Sequence, residues 1–399
     1  MKKLFVVGLA ALLLVAFAVP AMADVKIGGI IFTDFYYINR DKNNLFNPQR
    51  GTGLSYTNTA IQVPNITRLY GRWTNEDNVG MYIEFGLGQG GGGIDASSSD
   101  DQNSAVVRHA YGWWDVNPMF QIMAGHSTTP FSPLNPEQLL GTRSGSVNII
   151  GVGYGDYYAG RFAQVRGTFN FAKVAKLEIA LVDPNGAQSA GGQFYPTGYT
   201  ANNTLMPRVD VSVPIYLGPV HLYPGILWQR RGVDGASYIG HPVDSTVTTW
   251  IATIGTKMGF GPFAFSGEFN YGENWGNTRG LAGYSQPARV SSASLKRDGA
   301  INNAETYSWW VDLAYKFGPI TPNLIYGQMK TKNKAFGTDL STDAKSQMYG
   351  ISVPIDLAKG FRLRPELMWY DDGDYKTDTL PSQNLGKYMI AGVQFQITF

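Results

Sequence analysis

Hydrophobic and polar side chains alternate along most of the chain after residue 23, in segments of about ten residues. Residues 79–88, 263–273 and 305–317 are the clearest of these segments. Successive side chains of a β-strand point to opposite faces, so each segment predicts a strand with one apolar and one polar face. Runs of Ala, Leu, Glu and Lys, which favour helices, are scarce after residue 23, and the chain is therefore predicted to be all-β.

About sixteen strands are predicted in this way. They are separated alternately by seven short turns and eight long polar loops, and three of the turns contain a Gly-Pro pair. Pro224 and Pro365 fall inside predicted strands and fit least well, because proline cannot donate to the hydrogen-bond ladder. An even strand count with both chain ends on the turn side is typical of bacterial outer-membrane barrels. The long loops are predicted near residues 39–60, 89–104, 127–157, 184–203, 232–246, 274–304, 332–345 and 372–386.

The first 23 residues form a segment of a different kind. Lys2 and Lys3 precede an apolar run, and Ala21-Met22-Ala23 has the small-x-small pattern of a cleavage site. We therefore predict a cleaved signal peptide over residues 1–23 and a single domain over residues 24–399. A transmembrane anchor is the alternative, but the short apolar run and the Ala-x-Ala ending favour cleavage.

No later stretch approaches 18 consecutive apolar residues, so a spanning helix is not predicted. In lipid, only helices and closed barrels satisfy every backbone polar group. The predicted apolar faces end in aromatic residues, as at lipid headgroups, while the polar faces carry Arg, Glu, Gly and Ala, which suit a wet interior. These features favour a transmembrane antiparallel β-barrel over a soluble sandwich, placed in the outer membrane of a Gram-negative bacterium.

Composition excludes several other classes of function. Cysteine is absent, so disulfides and thiolate metal sites are excluded. Without Lys2 and Lys3 the 32 basic residues become 30, equal to the 30 acidic ones, and a neutral chain gives no support to nucleic-acid binding. The four histidines are scattered without metal-ligand spacing, so no metal and no cofactor are expected.

The segment Arg108-His109-Ala110-Tyr111-Gly112, followed by Ala124-Gly125-His126 and Thr129-Pro130-Phe131, resembles the Gram-negative general diffusion porins. Many members of that family have Arg where this chain has His126. The motif covers about residues 105–170, and the organisation covers residues 24–399. The resemblance implies a homotrimer of 16-stranded barrels and a long third loop, here residues 127–157, folded into the lumen. It also implies a water-filled channel for passive diffusion of small hydrophilic solutes and ions.

The polar parity of the predicted strands supplies candidate pore-lining residues. Charge on the lipid face costs roughly 2–4 kcal/mol at the membrane midplane, which favours an inward orientation. These residues either sort ions through a transverse field or pair with one another. The inward loop contains only Glu137, Arg143 and Asp156 as charged residues, so a weak anion preference is expected. The candidate lining residues are Arg68, Arg72, Arg108, Arg166, Arg208, Glu84, Glu137 and Arg143, with Glu178, Asp210, Glu268, Asp312 and Glu366 as further acids.

Aromatic residues on the polar parity would indicate a channel selective for sugars. Tyr70, Tyr82, Trp114 and Trp310 are the candidates, too few to establish that function. His109 falls on the outward parity and is expected to face a neighbouring subunit.

The last strand ends in Phe395, Ile397 and Phe399 on one parity, which indicates the terminal signal that the barrel-assembly machinery recognises. Outer-membrane lipid and lipopolysaccharide are the other expected partners. No enzymatic activity is expected. The alternatives are a substrate-selective channel for a sugar or an anion, an outer-membrane barrel enzyme, and an adhesin with a plugged lumen.

Overall fold

The structure is a computed structural model that describes residues 24–44, 47–64, 66–89, 103–137, 151–184, 203–204, 206–238, 241–278, 285–295, 300–333, 342–377 and 382–399. The predicted signal peptide, residues 1–23, and Arg143 lie outside the described residues.

Sixteen antiparallel strands form the barrel within the described part of the chain. Several of them are interrupted once or twice. Their bounds are β1 Asp24–Arg40; β2 Tyr56–Gln62 and Arg68–Thr74; β3 Val79–Gln89; β4 Asn103–Asn117; β5 Phe120–Thr128; β6 Arg161–Phe171; β7 Ala175–Val182; β8 Asn203–Thr204, Arg208–Ser212 and Ile215–Leu217; β9 Val220–Tyr238; β10 His241–Phe260; β11 Phe263–Glu273; β12 Ala304–Tyr315; β13 Asn323–Asn333; β14 Thr342–Ser352 and Ile355–Ala358; β15 Phe361–Asp371 and Asp374–Thr377; β16 Gln383–Asn384 and Lys387–Thr398.

The sheet closes on itself because β16 pairs antiparallel with β1, in a register that places Phe35 opposite Val393. Each strand otherwise pairs with its neighbour in the chain, as in an up-and-down barrel. Closure leaves no unpaired edge, which is the condition for a sheet to cross lipid. The prediction of a closed sixteen-stranded all-β barrel is confirmed.

The two faces of the sheet differ as the alternation predicts. Apolar side chains on the outside are exposed, for example Phe263 at 61% and Leu313 at 52%. Their neighbours of the other parity, such as Asn270 and Ser308, are buried inside the barrel. Burying the polar parity and exposing the apolar one inverts the rule for soluble proteins and suits a barrel that has lipid as its outer solvent.

The short turns and the prolines fit the ladder in specific ways. Gly218, Gly261 and Gly318, each followed by proline, have φ between 57° and 61°, a left-handed conformation that favours glycine. Pro224 and Pro365 keep their place in the ladder as acceptors, because their carbonyls bond the Val213 and Val353 amides at 2.8 and 2.9 Å. Each acceptor lies opposite an interruption in the adjacent strand, so the missing proline N–H costs little.

One predicted loop is wrong. Residues 232–246 were expected to form a long loop, but β9 and β10 extend through most of this segment as a paired hairpin. By contrast, the predicted loop at 274–304 contains a 3₁₀ turn at Trp275–Asn277, a short helix at Gln286–Arg289 (α1) and a two-residue pairing of Ser294–Leu295 with Ile301–Asn302. No helix in the described segments has the length and apolar character needed to span a bilayer.

Candidate functional site

The connection between β5 and β6 comprises residues 129–160 and is here named loop L3; its described parts, 129–137 and 151–160, lie inside the barrel. The Ser132 hydroxyl lies 2.6 Å from Glu268 Oε1 on β11, and the Glu137 amide donates to Asp312 Oδ2 on β12 at 2.8 Å. Further along the loop, the Tyr154 hydroxyl donates to Asp372 Oδ1, beside β15, at 2.7 Å. These partners lie across the lumen from β5 and β6, so the described part of L3 crosses the barrel and packs against its far wall.

A second loop, residues 274–303 between β11 and β12, is here named loop L6; its described parts, 274–278, 285–295 and 300–303, also fold inward. The Trp275 ring packs edge-to-face on Tyr157 of L3 at 5.3 Å, and the Tyr157 hydroxyl shares a hydrogen bond with Thr278. The Ser285 hydroxyl donates to the Gly153 carbonyl at 2.6 Å. The two inward loops therefore form one packed unit. Sequence reasoning missed L6, because loops carry no periodic pattern and its partners lie more than 100 residues away.

The two inward loops leave the lumen faces of β2 to β6 uncovered by their described contacts. Arg108 Nε lies 2.6 Å from Glu84 Oε1, and Arg68 Nε lies 3.7 Å from Glu84 Oε2, so two guanidiniums share one carboxylate. Arg161 donates to His109 Nε2 at 3.0 Å instead of to an acid. Here we name these faces, together with the adjoining lumen face of β7, the open wall; its charged residues are Arg68, Arg72, Arg108, Arg161, Arg166, Lys176, Glu84, Asp115 and Glu178.

His109 faces the lumen, so the prediction that it faces a neighbouring subunit is wrong. The β3–β4 register shifts by one residue between Glu84 and Phe85, which leaves Arg108 as an extra residue in β4. A bulge of this kind flips the parity of the residues that follow it. Arg108 and His109 therefore both point inward, and His109 Nδ1 lies 3.0 Å from the Ser127 hydroxyl.

The same bulge corrects the predicted aromatic lining. Tyr70 and Tyr82 face the lumen, but Trp114 lies on the lipid face and is 48% exposed. Trp310 points inward yet is only 1% exposed, because L3 covers it. Two aromatic residues that sequence reasoning missed, Tyr111 and Trp113, take the inward parity that the bulge creates. Two consecutive apolar residues before Arg108, Val106 and Val107, were the available signal of a break in alternation.

Several predicted lining residues are paired under the inward loops. Arg208 is 2% exposed, because its guanidinium bonds Asp210 and Thr129 and packs over the Phe162 ring at 4.8 Å. It therefore does not line the open lumen, contrary to the prediction. Glu137 accepts from Arg364 at 2.6 Å, which ties L3 to β15. Arg72 and Arg166 lie on the open wall, and Arg166 Nη1 is 3.7 Å from Glu178.

Buried acids lie behind L3. Neither oxygen of Asp156 has a hydrogen-bond partner among the described residues, and Glu268 Oε2 has none either. Burial raises the pKa of the Asp156 carboxyl well above its ordinary value, and the neighbouring Glu268 raises this pKa further. Asp312 is likewise buried beneath the loop. The acids of the far wall are therefore shielded from the open lumen, while the arginines of the open wall are not.

The open wall has a net positive charge. Its five arginines and Lys176 face the three carboxylates of Glu84, Asp115 and Glu178, a difference of three positive charges. No cluster of three His, Cys, Asp or Glu residues close enough to hold a metal ion occurs in the part of the chain that the structure describes.

A closed sixteen-stranded barrel with a polar lumen narrowed by inward loops defines an outer-membrane channel for passive diffusion. The chain belongs to the Gram-negative porin family, whose family model matches residues 9–375. No curated protein matches the sequence.

Solved structures with similar folds include an outer-membrane channel, a porin and another outer-membrane protein. The outer membrane channel DcaP of Acinetobacter baumannii is 18% identical with a TM-score of 0.67, over 96% of this chain and 99% of that one. The anion-selective porin from Comamonas acidovorans is 15% identical with a TM-score of 0.57, over 94% and 100%. The in-vitro folded OmpT of Vibrio cholerae, in its trimer form, is 10% identical with a TM-score of 0.54, over 95% and 100%. These likenesses show the fold.

Proposed function

We propose that the channel conducts small hydrophilic solutes and prefers anions weakly over cations. The observation that carries this proposal is the charge of the open wall, where, among the described residues, five arginines and Lys176 face only Glu84, Asp115 and Glu178. The acids that could balance them, Glu268 and Asp312, lie buried under L3. The structural neighbour from Comamonas acidovorans, described as anion-selective, is consistent with this proposal.

The lining residues have distinct roles in this proposal. Arg68, Arg72, Arg108 and Arg166, moderated by Glu84, form the surface along which anions pass. Glu137 anchors L3 to Arg364. A unit charge about 8 Å from an ion in water contributes about 0.5 kcal/mol, so three excess charges screened by salt produce a modest preference and not an absolute one.

The zero-current potential in a KCl gradient across a planar bilayer tests the ion preference. We expect the sign of this potential that results when chloride permeates faster than potassium. A potential of the opposite sign contradicts the proposal. Arg72→Gln combined with Arg161→Gln is expected to reduce the chloride preference. Lys173→Gln is the matched control, because Lys173 lies exposed in the turn between β6 and β7 and carries the same charge.

We also propose that the protein is a homotrimer that contacts lipopolysaccharide. Phe395, Ile397 and Phe399 lie on the outer face of β16, where they are exposed to lipid, and in our proposal they present the signal for the barrel-assembly machinery. Electrophoresis of unheated and heated protein tests the trimer. We expect the unheated protein to run at three times the monomer mass and to add conductance to a planar bilayer in groups of three equal steps. A monomeric band together with single conductance steps contradicts the trimer.

The chemistry of the lumen supports a channel without hydrolytic activity. Ser127 and His109 lie within hydrogen-bond distance, but Arg161 donates to His109 Nε2, so the proton of a neutral imidazole sits on Nδ1 and points at Ser127. That nitrogen cannot accept the serine proton, and among the described residues the hydrogen-bond partners of the ring are Ser127 and Arg161, neither of them an acid. We expect esters and peptides to be hydrolysed no faster with the protein than in buffer alone. A serine-directed inhibitor is expected to leave this rate unchanged.

A further inference from the structure

Four aromatic rings lie side by side on the open wall across β2, β3 and β4. Tyr70 stacks on Tyr82 at a centroid distance of 5.8 Å, Tyr82 lies 5.5 Å from Tyr111, and Tyr111 lies 6.0 Å from Trp113. All four belong to the inward parity, and the first three are half-buried. Together they make a continuous aromatic surface, here named the ring row.

Glycines on the adjacent strands hold the outer rings of the row flat against the wall. A Cβ built on Gly80 would lie 2.1 Å from the Trp113 ring, and one on Gly28 would lie 2.6 Å from Cζ of Tyr70. Both separations are far inside van der Waals contact, so the rings occupy the space that side chains would take at these positions. Tyr70 and Trp113 therefore lie against the backbone of the wall, and the guanidinium of Arg72 covers the Trp113 ring.

A third glycine lets Tyr111 pack directly against the backbone of β5. Gly125 on β5 pairs directly with Tyr111 and has the inward parity, so no side chain stands next to the Tyr111 ring on that strand. A Cβ at Gly125 would lie 2.8 Å from Cβ of Tyr111. The next inward side chains beyond Gly125 belong to β6, where Gln164 pairs with Gly125 and Arg166 pairs with Met123.

Two guanidiniums flank the row with hydrogen-bonding capacity to spare. Arg72 lies over the Trp113 ring at 4.8 Å, and its side chain is exposed. Arg166 contacts Glu178 only at 3.7 Å, and its Nε has no acceptor among the described residues although it is buried. Both cations lie close enough to the Tyr111 hydroxyl to interact with it electrostatically. A guanidinium donates to carboxylates in a planar, two-pronged geometry, and Arg72, whose side chain is exposed, can offer this geometry to a solute.

We propose that the open wall binds solutes that combine a planar aromatic ring with a carboxylate. The ring lies against Tyr111 and its neighbours, and the carboxylate accepts from Arg72. This inference rests on the proposed anion preference and adds a class of preferred solute to it. Aromatic rings attract one another beyond the area they bury, which for one such contact corresponds to roughly two- to tenfold in affinity.

The test compares benzoate with cyclohexanecarboxylate, which has the same charge and a similar size but no aromatic ring. Each is added to the wild-type channel in a planar bilayer, and its dissociation constant is taken from the concentration that halves the chloride current. Benzoate is expected to bind two- to tenfold more tightly than cyclohexanecarboxylate. Equal dissociation constants for the two acids overturn the inference. Glucuronate is measured in the same way, and tighter binding of glucuronate than of benzoate also overturns the inference, because it would indicate a sugar-acid site.

Variants locate the effect on the ring row. Tyr111→Phe is expected to keep the benzoate advantage, and Tyr111→Leu is expected to abolish it. The matched control is Trp114→Leu, because Trp114 is also an aromatic residue of β4 but faces lipid. Arg72→Gln, which leaves the rings in place, is expected to weaken both acids alike; it therefore tests the carboxylate contact even if Tyr111→Leu fails to fold. A benzoate advantage that survives in a folded Tyr111→Leu channel overturns the inference.

The outcome separates this inference from the proposed function. If the wild-type channel prefers potassium over chloride in KCl alone, the proposed anion preference fails. If it prefers chloride but does not distinguish benzoate from cyclohexanecarboxylate, only the ring-binding inference fails.

Discussion

Trp275→Ala is expected to loosen L3 inside the lumen. Trp275 is fully buried in a cluster with Phe131, Tyr157 and Met329, so it holds L6 against L3 and against the far wall. Truncating a buried Trp to Ala typically costs about 3–5 kcal/mol. The barrel ladder does not depend on this ring, so the loss falls on the docking of the two loops and not on the barrel.

Hydrogen exchange measures this loss directly. The amides of Tyr154 and Asp156 both donate to the Gly151 carbonyl, at 2.9 and 3.2 Å, and exchange only when L3 opens. Their protection is expected to fall by about two to four powers of ten, since each 1.36 kcal/mol is a tenfold change. In bilayers the variant is expected to show a noisier and larger conductance. Tyr158→Phe is the control, because Tyr158 packs at the edge of this cluster and the substitution keeps its ring in place.

A covalent bond between the loops is expected to rescue the variant. The chain has no cysteine, and a Cβ on Gly153 would lie 3.3 Å from the Ser285 Cβ, close to the spacing in disulfides. Gly153→Cys with Ser285→Cys, added to Trp275→Ala, is therefore expected to restore quiet conductance when oxidised and to lose it on reduction. Unchanged protection at Tyr154 and Asp156 in Trp275→Ala would refute the role given to L6.

Three further predictions follow from the same contacts. Glu84→Gln removes the one carboxylate shared by Arg68 and Arg108 and is expected to raise the chloride-to-potassium permeability ratio by about twofold, measured as the zero-current potential; a lower ratio would contradict the charge argument. The raised pKa of Asp156 means that L3 docking is most favourable below the ordinary carboxyl pKa and weakens as the pH rises through the raised value, so conductance noise should increase as the pH rises and Asp156→Asn should reduce that dependence, with Glu268 as the buried acid that remains against L3. Deleting Phe399, whose amide bonds the Gly29 carbonyl at 3.2 Å at the β16–β1 seam, is expected to lower the yield of assembled barrel in the outer membrane several-fold, whereas Leu357→Ala, at another exposed lipid-facing position, should not.

The barrel could be predicted because its information is local. A two-residue period in 263–273 or 305–317 identifies a strand and its two faces without any knowledge of the partner strand. Alternating connection lengths then count the strands and place both chain ends on one side. The β9–β10 hairpin was missed because residues 232–246 are polar, and polarity predicts a loop as readily as a strand that extends beyond the membrane.

The interior could be predicted only in part. Arg68, Arg72 and Glu84 lie on strands whose alternation is unbroken, so their inward parity follows from the sequence. The cover over Arg208 does not, because it depends on which wall L3 packs against. The same holds for L6, whose contacts between Trp275 and Tyr157 or Ser285 and Gly153 join segments with no periodic signal.

A single inserted residue decides what the open wall can recognise. With unbroken alternation in β4, Arg108 and Trp114 would point inward, and His109, Tyr111 and Trp113 would face lipid. The bulge at Arg108 keeps that arginine inside and turns the next three members of the odd parity inward as well. Lumen charge is therefore preserved while the ring row is created. Because neither the arginines nor the rings alone distinguish aromatic acids from other anions, the bulge is the feature from which the inferred selectivity arises.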